Sequence, residues 1–152
     1  FLFNIVIDYL SIEDEVRMVS ETTSTKVPDI NKIFDAQEII EIQNIVRQVP
    51  VSENVVRYAV NLVSSTRPTA EKAPDFVKKH LRWGAGSRAS QALILAGKAR
   101  ALLHGRYNVA IEDVKELAGP VLRHRIVTNF NADAEGITVE DIIKKLLDII
   151  PE

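Results

Sequence analysis

The chain has 152 residues, no cysteine and a formal net charge of −2, with 46% hydrophobic and 26% charged residues. This is the composition of a globular chain holding one domain, or one domain and part of another, and it sets aside the disordered class. It also excludes disulfides, a thiolate nucleophile and a cysteine-based zinc site, and the acidic balance gives no general attraction to nucleic acid. The chain opens on Phe1 instead of Met, which reads as a cut or processed end. Residues 1–9 are nearly all apolar, aromatic or β-branched, the pattern of a buried strand. No second convincing strand follows. A lone strand leaves its ladder unpaired, so the segment is either an irregular arm or the end of a sheet lying elsewhere in a larger protein.

The remainder reads as helices. Ser11 precedes Ile12 and the acidic Glu13, Asp14 and Glu15, with Val16 and Val19 as an apolar edge. Residues 22–31, with Pro28, read as a linker. Asp35 and Glu38 make a capping-box start for a helix that Pro50 ends. Ser52 caps the next helix, with Val55, Val56, Ala59, Leu62 and Val63 on one face, and Thr66-Arg67-Pro68-Thr69 closes it. Residues 70–83 carry no decisive pattern; Phe76, Val77, Leu81 and Trp83 fit a short helix or an extended connector equally well.

Gly84-Ala85-Gly86-Ser87-Arg88-Ala89-Ser90-Gln91 is the most informative stretch. Two glycines loosen the backbone, Ser87 is an N-cap residue type, and a long helix follows. Its stripe of Ala92, Leu95, Ala96, Ala99, Leu102 and Leu103 allows close helix approach, and His104-Gly105 ends it. Arg88 falls in the first turn, where free N–H groups and the helix dipole already make the potential positive. A cation there is unfavourable unless an anion shares the site. The competing reading is an arginine that snorkels, or pairs with Glu41 or Glu53. The local sequence leaves both open.

A further helical pattern runs from Asn108 to Ile126, with Glu112 and Asp113 in its first turn. Gly119-Pro120 predicts a kink or a break within it. Thr138 and Asp141 cap a last helix bearing Ile142, Ile143, Leu146, Leu147 and Ile150, stopped by Pro151. The fold class is all-α, a bundle of about five or six helices behind one strand-like segment. His80, His104 and His124 lack metal-ligand spacing, and the carboxylates cluster at helix starts, where capping explains them, so no metal site and no catalytic pair is expected. Arg47 and Arg67 are expected to pair with carboxylates or to face a neighbouring body. Arg123-His124-Arg125 read as a solvated face or as ion pairs, with a nucleic-acid contact as the other option.

Several of these stretches together carry a family resemblance. Phe1-Leu2-Phe3-Asn4-Ile5, Gln43 with Val46-Arg47, Thr66-Arg67, the stretch around Arg88, Lys98-Ala99-Arg100-Ala101, residues 120–126, Asn129-Phe130 and residues 134–138 occur in the order of the C-terminal part of a MoxR-family AAA+ ATPase, which the chain resembles along its whole length. The resemblance implies that residues 1–25 end a nucleotide-binding core, residues 26–34 link, and residues 35–152 form the helical lid. It implies that Arg88 is the sensor-2 arginine, which approaches the γ-phosphate and couples nucleotide state to lid angle, with Ala89 and Gln91 as nucleotide neighbours. Ser87 stands where family members often have proline.

The chain contains no Gly-x-x-x-x-Gly-Lys-Ser/Thr pattern, so it is not expected to hold ATP firmly or to hydrolyse it alone. The implied whole protein is a cytoplasmic, hexameric, chaperone-like ATPase using ATP with Mg²⁺. Its implied partners are its own core, neighbouring subunits and proteins with von Willebrand A domains, with no nucleic acid and no membrane insertion among them. Two other classes stand beside this: a plain helical protein–protein interaction domain, in which residues 1–9 fold onto the bundle, and a helical nucleic-acid-binding module.

Overall fold

The computed structural model describes residues 1–25 and 29–151. In chain order the elements are α1 (Ile12–Thr22), α2 (Ala36–Gln48), α3 (Glu53–Ser65), α4 (Asp75–His80), β1 (Leu81–Trp83), α5 (Ser87–Leu103), α6 (Ile111–Leu122), β2 (Val127–Thr128), α7 (Phe130–Glu135) and α8 (Val139–Ile149). The fold is all-α apart from one short antiparallel ladder that pairs Leu81 with Thr128 and Trp83 with Val127. Residues 1–11 form no helix or strand. The strand-like segment therefore has no ladder partner here, and Asn4 N–H donates instead to Pro120 O at 2.8 Å. Of the expected linker, residues 26–28 lie outside the described residues, and residues 29–35 carry no regular structure.

Local chemistry sets the helix starts. Ser11 accepts from the Asp14 amide in α1, and Asp35 and Glu38 exchange both bonds of a capping box in α2. Thr138 and Asp141 do the same at α8. Gly105, at φ +68°, follows α5 in a two-bond closure: its N–H donates to Leu102 O and that of Arg106 to Ala101 O. Two sequence expectations change. Gly86, not Ser87, is the N-cap of α5, with no side-chain cap bond, and Ser87 is the first helical residue. Pro120 does not split its helix; α6 runs through it and ends two residues later, at Leu122. The proline sits in the last turn, where only one ladder bond is forfeited and no further turn has to follow.

The segment before Gly84, whose sequence fits a helix or a connector, contains both α4 and β1. α7 is an additional short helix: Asn129 accepts from two amides at its start, and Gly136, at φ +68°, ends it. Glu135 ties α7 back to α4, reaching Lys79 at 2.7 Å and His80 at 3.1 Å.

The core lies among α3, α5, α6 and α8, filled by Tyr58, Leu62, Leu93, Leu122, Ile142 and Leu146, all nearly solvent-free. Burying each such aliphatic side chain contributes about 1.5–3 kcal/mol. α5 touches α2, α3 and α6, so its buried positions (Ala89, Ala92, Leu93, Ala96, Gly97 and Ala101) do not follow one stripe. Leu103, placed on the expected stripe, is exposed. Gly97 allows the chain leading into α6 to pass close: a Cβ there would sit 3.0 Å from Val109, just before α6. α1 and α2, by contrast, contain no buried residue, and Ile12, Val16, Val19, Ile39, Ile40, Ile42 and Ile45 are exposed.

Candidate functional site

The site forms where the end of α3 meets the start of α5. Thr66 is fully buried; its hydroxyl donates to Val63 O at 2.6 Å and accepts the Ala85 amide at 2.8 Å. Arg67 Nε donates to Ala85 O at 3.0 Å, so both main-chain groups of Ala85 are held by two consecutive residues. Gly84 is required beside them, because a Cβ at that position would lie 2.3 Å from Thr66 O. These bonds fix the path of the chain into α5 and with it the placement of Arg88.

Arg88 is exposed in the first turn of α5 and makes no ion pair or hydrogen bond among the described residues. The alternative partners are otherwise engaged: Glu53 pairs with Arg57, and Glu41 accepts from Gln37. The first turn of α5 contains no acidic residue. Arg88 is therefore a solvated cation at the positive end of a helix, where its charge is opposed and not answered.

Next to it lies an open groove of about 670 Å³ between α2, α3 and α5. Its floor is apolar (Val56, Val60, Ile94, Leu95) and its polar lining is Ser87, Ser90, Gln91, Arg47, Arg67 and Lys98. All three charged residues are cations, and none is ion-paired among the described residues. Lys98 Nζ donates to Arg47 O at 3.0 Å, which joins α5 to the end of α2 without neutralising either charge. Among the described residues Arg47 and Arg67 thus have no carboxylate partner, and Arg67 is engaged instead with Ala85 O. The groove can take an anionic group with an apolar portion.

The expected site residues separate. Gln91 is exposed and lines the groove, whereas Ala89 is solvent-free and packs in the core. Arg123 pairs with Glu140 at 2.9 Å, and the Arg125 guanidinium donates to main-chain carbonyls of residues 1, 2 and 121. Among the described residues no three His, Asp or Glu side chains converge to hold a metal, and no helix is long and apolar enough to cross a membrane.

One charged cluster is marked by no sequence motif. Asp113 is fully buried at the start of α6 and accepts from Arg100 at 2.6 Å, from Arg106 at 2.5 and 2.9 Å, and from the Ala110 amide at 2.9 Å. Burial works to raise its pKa, but the bonds from Arg106, Ala110 and Arg100 outweigh it and hold the carboxyl well below the usual carboxylate range. Arg106 is raised in turn, chiefly by its bond to Asp113. This triad braces α5 against α6, with the carboxylate itself closed off from solvent.

Comparison with known proteins accords with this geometry. Residues 75–146 match the family model for the AAA lid domain. The chain is 33% identical over 150 residues to the chaperone MoxR1 of Mycobacterium tuberculosis, covering 99% of this chain and 40% of that protein. It is 28% identical over 151 residues to the uncharacterized protein YeaC of Bacillus subtilis, covering 99% and 44%. A solved structure from Cytophaga hutchinsonii, of a protein proposed to be an ATPase, superposes with a TM-score of 0.90 at 32% identity, over 99% of this chain and 46% of that one. The chain thus spans less than half the length of the relatives it matches. The motif order, the all-α fold and these likenesses converge: the chain belongs to the MoxR family of AAA+ ATPases and carries their lid domain.

Proposed function

We propose that this chain is the sensor-2 lid of a chaperone-like AAA+ ATPase and that Arg88 receives the γ-phosphate of ATP presented by a nucleotide-binding core. The observation that carries the reading is the state of Arg88: exposed, unpaired, and set in a helix first turn that already favours anions. The adjoining groove, with cations only on its rim, supports it. In this account residues 1–25 close the core, 26–34 link, and 35–152 form the lid; the exposed apolar edge of α1 is then the face that packs on that core. Gln91 stands where the nucleotide's remainder would pass. Ala89 contributes through packing, its main chain alone being available.

Arg88 would screen charge as the terminal phosphate leaves, and lid orientation would follow from whether that phosphate is present. Mg²⁺, when bound with ATP, neutralises phosphate charge; it belongs to the core, and no residue described here is suited to hold it. The chain alone, with no phosphate loop, would not turn over ATP. The longer protein would act in the cytoplasm as a ring, hexameric by family likeness, remodelling or maturing partner proteins, von Willebrand A domain proteins among them. Arg88→Ala in a protein joining this lid to its core should lower ATP turnover by about 10²-fold or more, the scale of losing one transition-state charge contact. The lid's circular dichroism should be unchanged. Wild-type turnover in that variant would remove the sensor assignment.

A further inference from the structure

The Arg123-His124-Arg125 stretch is not absorbed by the nucleotide reading, and its contacts are specific. α6 ends at Leu122, so Pro120 O has no continuing helix to accept from and instead receives the Asn4 amide at 2.8 Å. Arg123 Nη1 donates to Asn4 O at 3.1 Å, while its Nε faces Glu140 of α8 at 2.9 Å. Arg125 donates to Phe1 O at 2.6 Å and Leu2 O at 3.2 Å, and also to Val121 O within the last turn of α6. Three carbonyls and one amide within residues 1–4 are thereby bound to a single helix end.

The side chains of the same segment are held unevenly. Leu2 and Phe3 are each 38% exposed, whereas Phe1 is fully exposed and Ile5, Val6 and Ile7 are mostly exposed. Apolar burial, confined to Leu2 and Phe3, does not by itself account for the bonds to the main chain. What is recognised is main-chain position, which suits guanidinium groups, each a rigid fork of several donors. Both arginines also lie past the carboxyl end of α6, where a cation is favoured by the helix dipole.

We propose that Arg123 and Arg125 are positioning residues forming a clamp that seizes the main chain of residues 1–4 at the carboxyl end of α6. The clamp joins residues 1–4, which the proposed reading assigns to the core, to the α6–α8 end of the bundle. The clamp does not depend on nucleotide, so it stands or falls apart from the role of Arg88.

The test is amide hydrogen exchange by NMR on the 152-residue chain, comparing wild type with the double variant Arg123→Gln/Arg125→Gln and with Glu140→Gln. The double variant should speed exchange at the Asn4 amide by about tenfold or more, equivalent to about 1.4 kcal/mol, while α3 and α5 amides keep their rates. Glu140→Gln, which removes the ion pair alone, should leave Asn4 slow. A smaller change at Asn4 with an intact lid overturns the clamp, as does an equal change in Glu140→Gln. Should the double variant lose the protection of α5, backbone relaxation of the wild type decides. An order parameter for Asn4 above the flexible limit of about 0.6 upholds the clamp, and one below it overturns it.

Discussion

Replacing Asp113 by Asn tests the brace between α5 and α6. The carboxylate is fully buried and receives bonds from two guanidinium groups and one amide. Removing one partner of a buried ion pair costs about 3–5 kcal/mol, because the charge left behind is uncompensated. Here the side chains of Arg100 and Arg106 are 22% and 36% exposed, so water softens that penalty, and the amide oxygen can still accept one bond. The expected loss is about 2–3 kcal/mol, or a fall in Tm of about 4–12 °C for a chain of this size. Urea unfolding followed by circular dichroism at pH 7 measures it.

The pH dependence gives an independent reading. Asp113 is depressed below its ordinary value of 3.8, so its contribution is present above that pH and is lost as pH falls toward the folded-state value. The deficit of Asp113→Asn should therefore be largest at neutral pH and shrink below about pH 4. A loss under about 1 kcal/mol at pH 7, or a deficit that grows on acidification, would refute the assigned role.

The remaining predictions concern the entry to α5. Thr66→Val keeps the shape but strands the buried Ala85 amide, and should cost about 1–3 kcal/mol by chemical denaturation, with faster exchange at Ala85. Wild-type stability in that variant would show that the hydroxyl does not hold the turn. Gly84→Ala sets a Cβ 2.3 Å from Thr66 O and should destabilise by about 1–3 kcal/mol or more, since the nearest atoms it meets are all backbone. Gly86→Ala meets nothing within 4 Å and should change stability by under about 1 kcal/mol. Equal effects of the two glycine substitutions in a thermal melt would contradict this account of the loop.

What was legible in the sequence was local. The caps at Asp35, Ser11 and Thr138 and the glycine after α5 are decided within three or four residues, and the structure places them as read. β1 was not legible because its partner lies some 45 residues away and three residues carry too little pattern. α5 does not follow a one-faced pattern because three helices surround it, and its buried Leu93 and Gly97 lie off the predicted stripe. At the site, Arg88 was legible as a misplaced cation from its first-turn position. The groove beside it was not, since Arg47, Arg67 and Lys98 come from α2, the turn after α3, and α5. Asp113 reads as an ordinary first-turn acid; Arg100 in α5 and Arg106 in the following loop are the available hint, but only packing shows that they converge.

The central claim is that Arg88 reads the terminal phosphate. In a protein joining this lid to its nucleotide-binding core, Arg88→Ala should weaken binding of a non-hydrolysable ATP analogue by about tenfold or more while ADP affinity stays within about twofold. That pattern corresponds to the loss of one charge-assisted contact of about 1.5–3 kcal/mol to the group that ADP lacks. Equal loss for both nucleotides, or no loss for either, would contradict it.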